Sequence, residues 1–374
     1  MDELEQFAEA LKGQDAPPPV TPAAFCKARK KLKYEGIIEL NGVAIEAFAA
    51  HFALRRWHGF RVLAVDGSTG RLPDEADIAK EFGGPVDAAG PMARFSRLYD
   101  VLNKIILRAD IAPYAVGERE LASSYLYDAL VDDLLVYDRG YAAFWLFAQH
   151  RDMNRAFCAR VKLDFSATVK TFVSSGARSA VTTLQPSVAA QAQCEEYNLS
   201  SEPVPVRLVR VELDTGEVEV LITSLLDEKA YPVSRFKALY HLRWGIEEGY
   251  KREKSRIEIE NFSGKSALVV YQDFHAKVLA LNLASLFAWV AQAIADRLYA
   301  KRRYRYQIDF ANALTQMKNR LVRWLLDADP RGLVVTVVTR MARSAEPVRP
   351  DRSAPRTLGT QKLQGFHGNY KRTR

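Results

Sequence analysis

Cysteine is scarce in this chain of 374 residues, and an export signal is lacking. The three cysteines, Cys26, Cys158 and Cys194, are far apart and form no CxxC pair, which argues against a zinc cluster and against a disulfide framework. The N-terminus opens with acidic residues and has no basic segment followed by an apolar one, so we expect no secretory signal. Together these features favour a reducing, cytoplasmic location.

Long uncharged runs are also rare. The exception is the segment from Val278 to Ala295, 18 residues without a charged side chain, which is near the shortest length that crosses a bilayer. Within it, Ala280, Ala284 and Ala288 form a ridge of small side chains suited to close helix packing. The segment therefore favours a buried core helix over a membrane span, and we expect no membrane partner.

What is present is the composition of a folded protein. Apolar residues make up 48% of the chain and charged residues 26%, a balance that excludes intrinsic disorder as the general state. The length exceeds the roughly 250 to 300 residues at which a single hydrophobic core stops growing. We therefore expect one large domain with insertions, or two to three domains.

The net charge of +8 is concentrated at the C-terminus. Residues 331–374 carry ten Lys and Arg against two Asp and Glu, so the rest of the chain is neutral. This basic tail is broken by proline and glycine, which is typical of a segment that is poorly ordered in isolation. It is either a solubilising extension or an arm that binds a polyanion such as the phosphates of a nucleic acid.

A second basic segment lies in an N-terminal region, residues 1–56, for which we predict helices. Thr21 and Pro22 predict a helix start, with a hydroxyl at the N-cap and proline at the first helical position. The following residues place four positive charges on a short helix: Lys27, Arg29, Lys30 and Lys31. That helix either contacts DNA or presents an ordinary solvated face.

From residue 60 the pattern changes to short apolar runs. Strands are predicted at 60–66, 93–101, 105–112, 133–138 and 157–163, with helices at 118–131 and from Tyr141. This β-β-β-α-β-α-β order is that of a ribonuclease-H-like α/β domain, with a mixed five-stranded sheet flanked by helices.

The remaining segments complete a predicted division of the chain into four parts. Residues 164–226 are interpreted as an inserted β-rich subdomain with a hairpin that turns at Asp214 to Gly216, and a helix is predicted from 234 to 256. The predicted parts are the helical region at 1–56, the catalytic core at 57–163 and 227–330, the insertion at 164–226 and the basic tail at 331–374.

Two predicted strands end in aspartate, at Asp66 and at Asp138. In a ribonuclease-H-like order the first and fourth strands are neighbours, which would bring both carboxylates to one sheet edge. Oxygen ligands without a His or Cys set suit Mg²⁺ or Mn²⁺. Each aspartate alone could instead be a turn residue, and four others are alternatives of the same type: Asp100, Asp128, Asp132 and Asp133.

The helix after the insertion carries a narrow polar face. At about 100° per residue, Tyr240, Arg243, Glu247 and Lys254 share an arc of about 60° that extends about 21 Å along the axis. A nucleic-acid strand could touch all of that length, whereas one small substrate could not. The alternative is a solvated helix face with an ion pair between Arg243 and Glu247, worth only about 0.2 to 0.5 kcal/mol.

The spacing Y-x2-R-x3-E-x6-K of these four residues resembles the signature of the YREK branch of bacterial insertion-sequence DDE transposases (the insertion sequence four family). The sequences around Asp66 (VDGSTGRLPDEADIAKEFGGP) and Asp138 (YDRGY) are similar to that family too, as are the β-rich insertion and the segment TPAAFCKARKKL. The resemblance covers most of residues 21–266.

The resemblance implies a DNA transposase that cuts the ends of an insertion sequence and joins them to target DNA. Asp66, Asp138 and Glu247 would be the catalytic carboxylates that hold two Mg²⁺ ions, with Mn²⁺ able to substitute. Tyr240, Arg243 and Lys254 would contact DNA near the scissile bond. The implied partner is double-stranded DNA, bound by a dimer at the terminal inverted repeats.

Three other functions compete with this interpretation. The segment AVDGST is similar to the catalytic loop of phosphatases of the haloacid-dehalogenase type. Ala64, however, occupies the position at which that loop has its nucleophilic aspartate. A metal-dependent nuclease of the same fold remains open, because the carboxylates alone do not tell water from a DNA 3′-hydroxyl as the nucleophile. A non-catalytic DNA-binding derivative would be expected to have lost a carboxylate, and all three are present.

Overall fold

The computed structural model of the chain describes residues 21–86, 90–213, 216–243, 261–318, 320, 324 and 327–349. Contacts divide the chain into two compact units. The sheet unit comprises Ala53–Leu72 and Ile78–Glu260, and the helical unit comprises Met1–Phe52, Pro73–Asp77 and Asn261–Arg374. The four-part division expected from the sequence stays a prediction.

The elements are numbered in chain order. The strands are β1 (Arg61–Arg71), β2 (Met92–Asp100), β3 (Ile105–Pro113), β4 (Asp133–Tyr137), β5 (Ala156–Val161), β6 (Ser179–Leu184), β7 (Val204–Glu212), β8 (Val218–Thr223), β9 (Tyr306–Gln307) and β10 (Glu346–Pro347). The helices are α1 (Pro22–Arg29), α2 (Glu35–His51), α3 (Ala76–Phe82), α4 (Glu118–Ser124), α5 (Phe144–Asp152), α6 (Ala167–Ser175), α7 (Val188–Glu196), α8 (helical over 236–243), α9 (Ala267–Leu298), α10 (Phe310–Lys318) and α11 (Arg331–Arg343).

One large sheet organises the sheet unit. Its strand order is β3-β2-β1-β4-β5-β8-β7-β6. The first three strands form an antiparallel meander, and β4 and β5 run parallel to β1. This confirms the ribonuclease-H-like order, including the predicted adjacency of the first and fourth strands.

The predicted β-rich insertion extends the same sheet. Residues 164–226 contribute β6, β7 and β8 to it, and they also contain the helices α6 and α7. The predicted hairpin is present, since β7 and β8 pair antiparallel. Because β8 also pairs with the free edge of β5, the described sheet has eight strands, of which five were predicted for the core and three come from the insertion.

The two faces of this sheet are buried in two separate hydrophobic clusters. Alternation along β1 sends Leu63 and Val65 into the cluster packed by helices α4 to α7, and sends Val62 and Ala64 into the cluster packed by α8. Strand β4 alternates in the same way, so its run of apolar residues is buried on both sides. Such a run is typical of a central parallel strand.

The helical unit is built around α9. Its buried Asn282 donates to Asn41 of α2 at 2.8 Å, and Trp289 meets the ring of Phe48 edge-on at 5.3 Å. Alanines near the end of α9 pack against α10 and α11.

At its start α1 has the predicted cap, because the Thr21 hydroxyl accepts from the amide of Ala24 at 3.2 Å and Pro22 follows it.

Helix α9 is long and apolar enough to cross a membrane by length and composition alone. It is also packed, because 50% of its most apolar window is buried inside the protein. The predicted ridge lies in this packed part, where Ala284 is fully buried. A single candidate helix of this kind among the described residues is weak evidence and does not indicate a membrane protein.

The parallel pairing of β1 with β4 is clamped at its beginning by an ion pair. Arg61 and Asp133 are register partners, and the guanidinium donates to both carboxylate oxygens at 2.7 Å. The Asp133 side chain is fully buried and also accepts from the amide of Leu130. Burial lowers the pKa of Arg61, but the hydrogen bond and charge of Asp133 raise it by more. The Arg61 guanidinium is therefore charged.

Removing one partner of this pair should destabilise the sheet unit. We expect Asp133→Ala to lower the free energy of unfolding by about 3 to 5 kcal/mol, because it leaves a half-buried arginine without its carboxylate. Urea denaturation measures the change. The matched control is Asp132→Ala, which breaks an exposed pair with Arg56 and should cost no more than about 1 kcal/mol. Equal losses for the two variants would contradict this description of the clamp.

Candidate active site

Asp66 and Asp138 lie at the same level of the sheet. The last pair in the parallel register of β1 and β4 is Ala64 with Val136, and each aspartate is two residues further along its own strand direction. Alternation places both on the face that holds Ala64 and Val136, which is the face covered by α8. Both residues are partly buried. The predicted meeting of the two carboxylates at one edge is thus supported by the register.

One detail of the prediction is wrong. Asp66 does not end its strand, because β1 continues to Arg71 in antiparallel register with β2. The strand that ends at this level is β4, after Tyr137. The sheet edge at the two aspartates is therefore formed by the end of β4, because the longer strands β1 and β2 continue beside it.

A tight turn holds the carboxylate of Asp138. Its Oδ1 accepts from the amide of Gly140 at 2.6 Å. A Cβ at Gly140 would lie 3.0 Å from the same oxygen, so the glycine gives the carboxylate room. Arg119 of α4 donates to the carbonyl of Gly140 at 2.9 Å and fixes the turn from outside.

Positive charge flanks the carboxylates at this level of the sheet. Arg97 on β2 is the register partner of Asp66 and is 4% exposed. On the other side, Ala159 of β5 is the partner of Tyr137, so Arg160 follows at the level of Asp138 and on the same face as the α8 cluster. Neither arginine was expected from the sequence.

Arg160 is held by a residue of the insertion. Its Nη1 donates to Glu219 of β8, whose side chain is 6% exposed. Burial lowers the pKa of Arg160, but the Tyr240 hydroxyl, the bond to Glu219 and the charge of Asp138 raise it by more. The only sequence signal for this pair was a charged residue inside each of two otherwise apolar strands.

Tyr240 and Arg243 come from α8 and lie over this group. The guanidinium carbons of Arg160 and Arg243 are 5.8 and 5.3 Å from the centre of the Tyr240 ring. Burial raises the pKa of Tyr240, although the positive charges of Arg243 and Arg160 act in the opposite direction. The phenol is therefore a neutral hydroxyl.

Tyr240 and Arg243 are less exposed than expected for a helix face that is open to DNA. Tyr240 is 3% exposed and Arg243 is 4% exposed, because α8 packs this side onto the sheet. Helical periodicity identified the shared face but not the surface that covers it. Their contact with DNA stays a prediction. Glu247 and Lys254, which share the predicted face, lie outside the described residues.

The four alternative aspartates have structural partners. None of them is on the Asp66 and Asp138 level, and each is engaged as follows: Asp100 with the backbone of Leu102 and Asn103, Asp128 with Arg108, Asp132 with Arg56, and Asp133 with Arg61. Burial raises the pKa of Asp100. These contacts give each of the four aspartates a structural role, so no role in catalysis is needed to explain them.

The basic N-terminal helix is only partly available. Arg29 pairs with Asp273 of α9 at 2.6 Å and also donates to Gln272 and Ser263, so it serves the helical unit. Lys27, Lys30 and Lys31 are exposed. The predicted DNA contact of this helix stays a prediction and rests on the three lysines.

Comparison with known proteins identifies the family of the chain. The family described as Transposase DDE domain matches residues 57–283, more than half of the chain. The chain belongs to the DDE transposase family. It is 24% identical over 357 residues to the transposase InsG for insertion sequence element IS4 of Escherichia coli (strain K12), covering 91% of this chain and 77% of that protein. A putative transposase of the same organism, InsZ, is 30% identical over 88 residues, which span 22% of this chain and 29% of InsZ.

A solved structure is also similar. It is the cryo-EM structure of a piggyBac transposase synaptic complex with hairpin DNA, at 8% identity and a TM-score of 0.38, covering 81% of this chain and 60% of that chain. A TM-score this low does not establish a shared fold. The family match is what identifies this chain as a DDE transposase, an enzyme of DNA cleavage and strand transfer.

The described residues fit the divalent metal use that the family implies. The Asp66 and Asp138 carboxylates offer hard oxygen donors side by side, which is the ligand type that Mg²⁺ and Mn²⁺ prefer. Within the described ranges no cluster of three His, Cys, Asp or Glu side chains is present. A third ligand therefore has to come from elsewhere, and the predicted Glu247 lies in the part not described.

A buried histidine anchors the strand end just before Asp138. The Tyr137 hydroxyl donates to His150 Nε2 at 2.8 Å, and His150 Nδ1 donates to the carbonyl of Arg155 at 3.0 Å. Burial lowers the pKa of His150 to about 4. The ring is therefore neutral, and its protonation would break the bond to Tyr137.

This histidine predicts a pH dependence of stability. Between about pH 6.5 and pH 4 the unfolded chain binds a proton at His150 that the folded protein does not, so stability falls with falling pH. The total effect should be roughly 3 kcal/mol, since one unit of pKa is worth about 1.4 kcal/mol. Urea denaturation across this range should show a shallower pH dependence for His150→Gln. An unchanged slope would show that the histidine is protonated in the folded protein.

Proposed function

We propose that this transposase cuts the ends of an insertion sequence and joins them to target DNA, with Asp66, Asp138 and Glu247 as its catalytic carboxylates and metal ligands. The observation that carries the proposal is the register of β1 and β4, which aligns Asp66 with Asp138 on one face. The chain order of the three residues and the YREK spacing around Glu247 add to it.

The metal is proposed to be Mg²⁺, with Mn²⁺ able to substitute. Ions held by these carboxylates would lower the pKa of an attacking water or DNA 3′-hydroxyl and stabilise the leaving oxygen. The protein's part is to hold the carboxylates in place. The turn at Gly140 fixes Asp138, and the pairing of β1 with β2 fixes Asp66.

The arginines at this level are proposed to hold DNA phosphates. Arg160 is oriented by Glu219 beside Asp138, and part of its side chain is accessible, at 24% exposed. Arg243 also lies close to the Tyr240 ring, with its guanidinium carbon 5.3 Å from the ring centre. Contact of Tyr240 and Arg243 with DNA requires α8 to present a face that is buried here. Lys254 is proposed to contact DNA as well, and it lies outside the described residues.

Further DNA contacts are proposed outside the sheet unit. Lys27, Lys30 and Lys31 present exposed charge on and just after α1, and residues 331–374 carry the net positive charge of the chain. Each phosphate that these groups neutralise releases counterions, so they would add affinity without sequence preference. Two copies would act together, because an insertion sequence has two ends, and the protein would work in the cytoplasm at the nucleoid.

Conservative replacement of the three carboxylates tests the assignment. We expect Asp66→Asn, Asp138→Asn and Glu247→Gln each to reduce Mg²⁺-dependent cleavage of an end duplex by about 100-fold or more, because a neutral amide is a poor metal ligand. Binding of the duplex in the absence of metal should stay near the wild-type level, which a gel-shift titration measures.

The matched control is Asp132→Asn, an exposed aspartate that precedes β4 and should cleave as the wild type does. Cleavage close to the wild-type rate by any of the three carboxylate variants would remove that residue from the site. Loss of cleavage in the control as well would show that the assay reports folding rather than metal binding.

A further inference from the structure

A further basic segment, which the charge totals conceal, follows α9. Between positions 297 and 305 the chain has five basic residues and no acidic one: Arg297, Lys301, Arg302, Arg303 and Arg305. All five are exposed. We call residues 297–305 the basic loop. Because residues 1–330 sum to neutral, acidic residues elsewhere in the chain hide this loop from a count of net charge.

The charges of the basic loop are not neutralised locally. Among the residues that the structure describes, none of the five forms an ion pair. Of the acidic residues beside the loop, Asp296 accepts a hydrogen bond from Gln292, and Glu346 lies opposite Gln307 in the pairing of β9 with β10. A cluster of like charge without counter-charges repels itself and attracts a polyanion.

Two tyrosines close the base of the basic loop. The rings of Tyr299 and Tyr306 stack with their centres 4.1 Å apart, and the Tyr299 hydroxyl donates to the carbonyl of Arg343 at 3.0 Å. Gln292 donates to the carbonyl of Tyr306 at 2.8 Å and accepts from the amide of Ile308 at 3.0 Å. These contacts fix both ends of the loop before any ligand arrives, which reduces the conformational entropy lost on binding.

The last described part of the basic tail lies beside this loop. Strands β9 and β10 pair antiparallel, and the amide of Val348, just after β10, donates to the carbonyl of Arg305 at 2.8 Å. Arg343 at the end of α11 and Arg349 after β10 are both exposed. The fold therefore joins the loop and these two arginines in one basic surface, although helix α10 separates the two segments in sequence.

We propose that the basic loop, together with Arg343 and Arg349, binds the phosphate backbone of duplex DNA. The inference rests on the proposed function, because that function supplies the polyanion. Arginine suits this task, since its planar guanidinium matches a phosphate with two parallel hydrogen bonds. Contacts to phosphate position a duplex without reading its sequence, so the surface would add affinity for any duplex. Neither the YREK signature nor the aspartate motifs include these residues.

The salt dependence of duplex binding by the full chain tests the proposal. In the double variant Lys301→Gln, Arg302→Gln, the slope of log K against log salt should fall in magnitude by about 1.8, because each lost phosphate contact removes about 0.9. Fluorescence anisotropy titrations without metal measure binding apart from cleavage. The reduction should be equal on an end duplex and on an unrelated duplex of the same length.

The matched control is the double variant Lys229→Gln, Arg235→Gln, which removes one exposed lysine and one exposed arginine from the sheet unit. Both residues follow β8, which ends opposite Cys158 and so at the end of β5 away from the aspartates. The control should keep the slope of the wild type. All four side chains are exposed, so neither double variant should change the melting temperature.

A charge-exchange variant separates charge from folding. Lys301→Arg with Arg302→Lys keeps both positive charges and should retain the slope of the wild type. An equal reduction in the exchange variant, or in the Lys229 and Arg235 control, would overturn the inference, because the effect would then not depend on positive charge at this loop.

The loop variant itself gives the remaining outcomes. A slope equal to that of the wild type on both duplexes would overturn the inference and leave the proposed function standing. A reduction confined to the end duplex would also overturn it, because such a loss requires contacts to bases. A wild-type protein that binds neither duplex would overturn the proposed function and this inference with it.

Acetylation of lysines provides a second measurement on the unaltered protein. A reagent that acetylates exposed amines is applied with and without bound duplex, and mass spectrometry gives the modified fraction at each lysine. The duplex should lower the modification of Lys301 by at least half and leave that of Lys229 unchanged. Equal modification of Lys301 in both samples would contradict the proposed contact.

Discussion

The pairing of β1 with β4 is the constraint on which the site depends. Parallel strands have no turn to set their register, so the alignment has to come from packing and from specific contacts. Here the buried ion pair between Arg61 and Asp133 joins the two strands where they begin. A slip of one residue would turn either Asp66 or Asp138 to the opposite face. The ion pair between Arg61 and Asp133, at the end of the strands away from the site, thus keeps both carboxylates on the same face of the sheet.

The insertion is part of this arrangement rather than an appendage. Strand β8 closes the free edge of β5, and Glu219 on β8 holds Arg160 at the level of Asp138. The row across the sheet consequently has Arg97 on one side of the two aspartates and Arg160 on the other. Positive groups beside the carboxylates reduce the mutual repulsion of the two aspartates.

Much of the fold could be predicted from the sequence, since apolar runs and their order are local signals. The strands around Asp66 and Asp138 and their adjacency followed from that order. The joining of β8 to β5 could not be predicted, because it depends on pairing between segments about 60 residues apart, for which the sequence contains no turn or motif.

The site was predictable only in part, for a related reason. Residue type and spacing pointed to the aspartates and to the face of α8, but periodicity does not say what covers a face, so the burial of Tyr240 and Arg243 was missed. Arg160 and Glu219 look like isolated charges until β5 and β8 are paired.

The most direct test of a transposase at this site is strand joining. A duplex with a pre-cut end and a free 3′-hydroxyl is supplied with target DNA and Mg²⁺, and the products are separated by size. A transposase should give a covalent product that contains both the end and the target, because the 3′-hydroxyl acts as the nucleophile. Hydrolysis of the end duplex without any joined product, across several target DNAs and metal concentrations, would contradict the assignment and leave a nuclease.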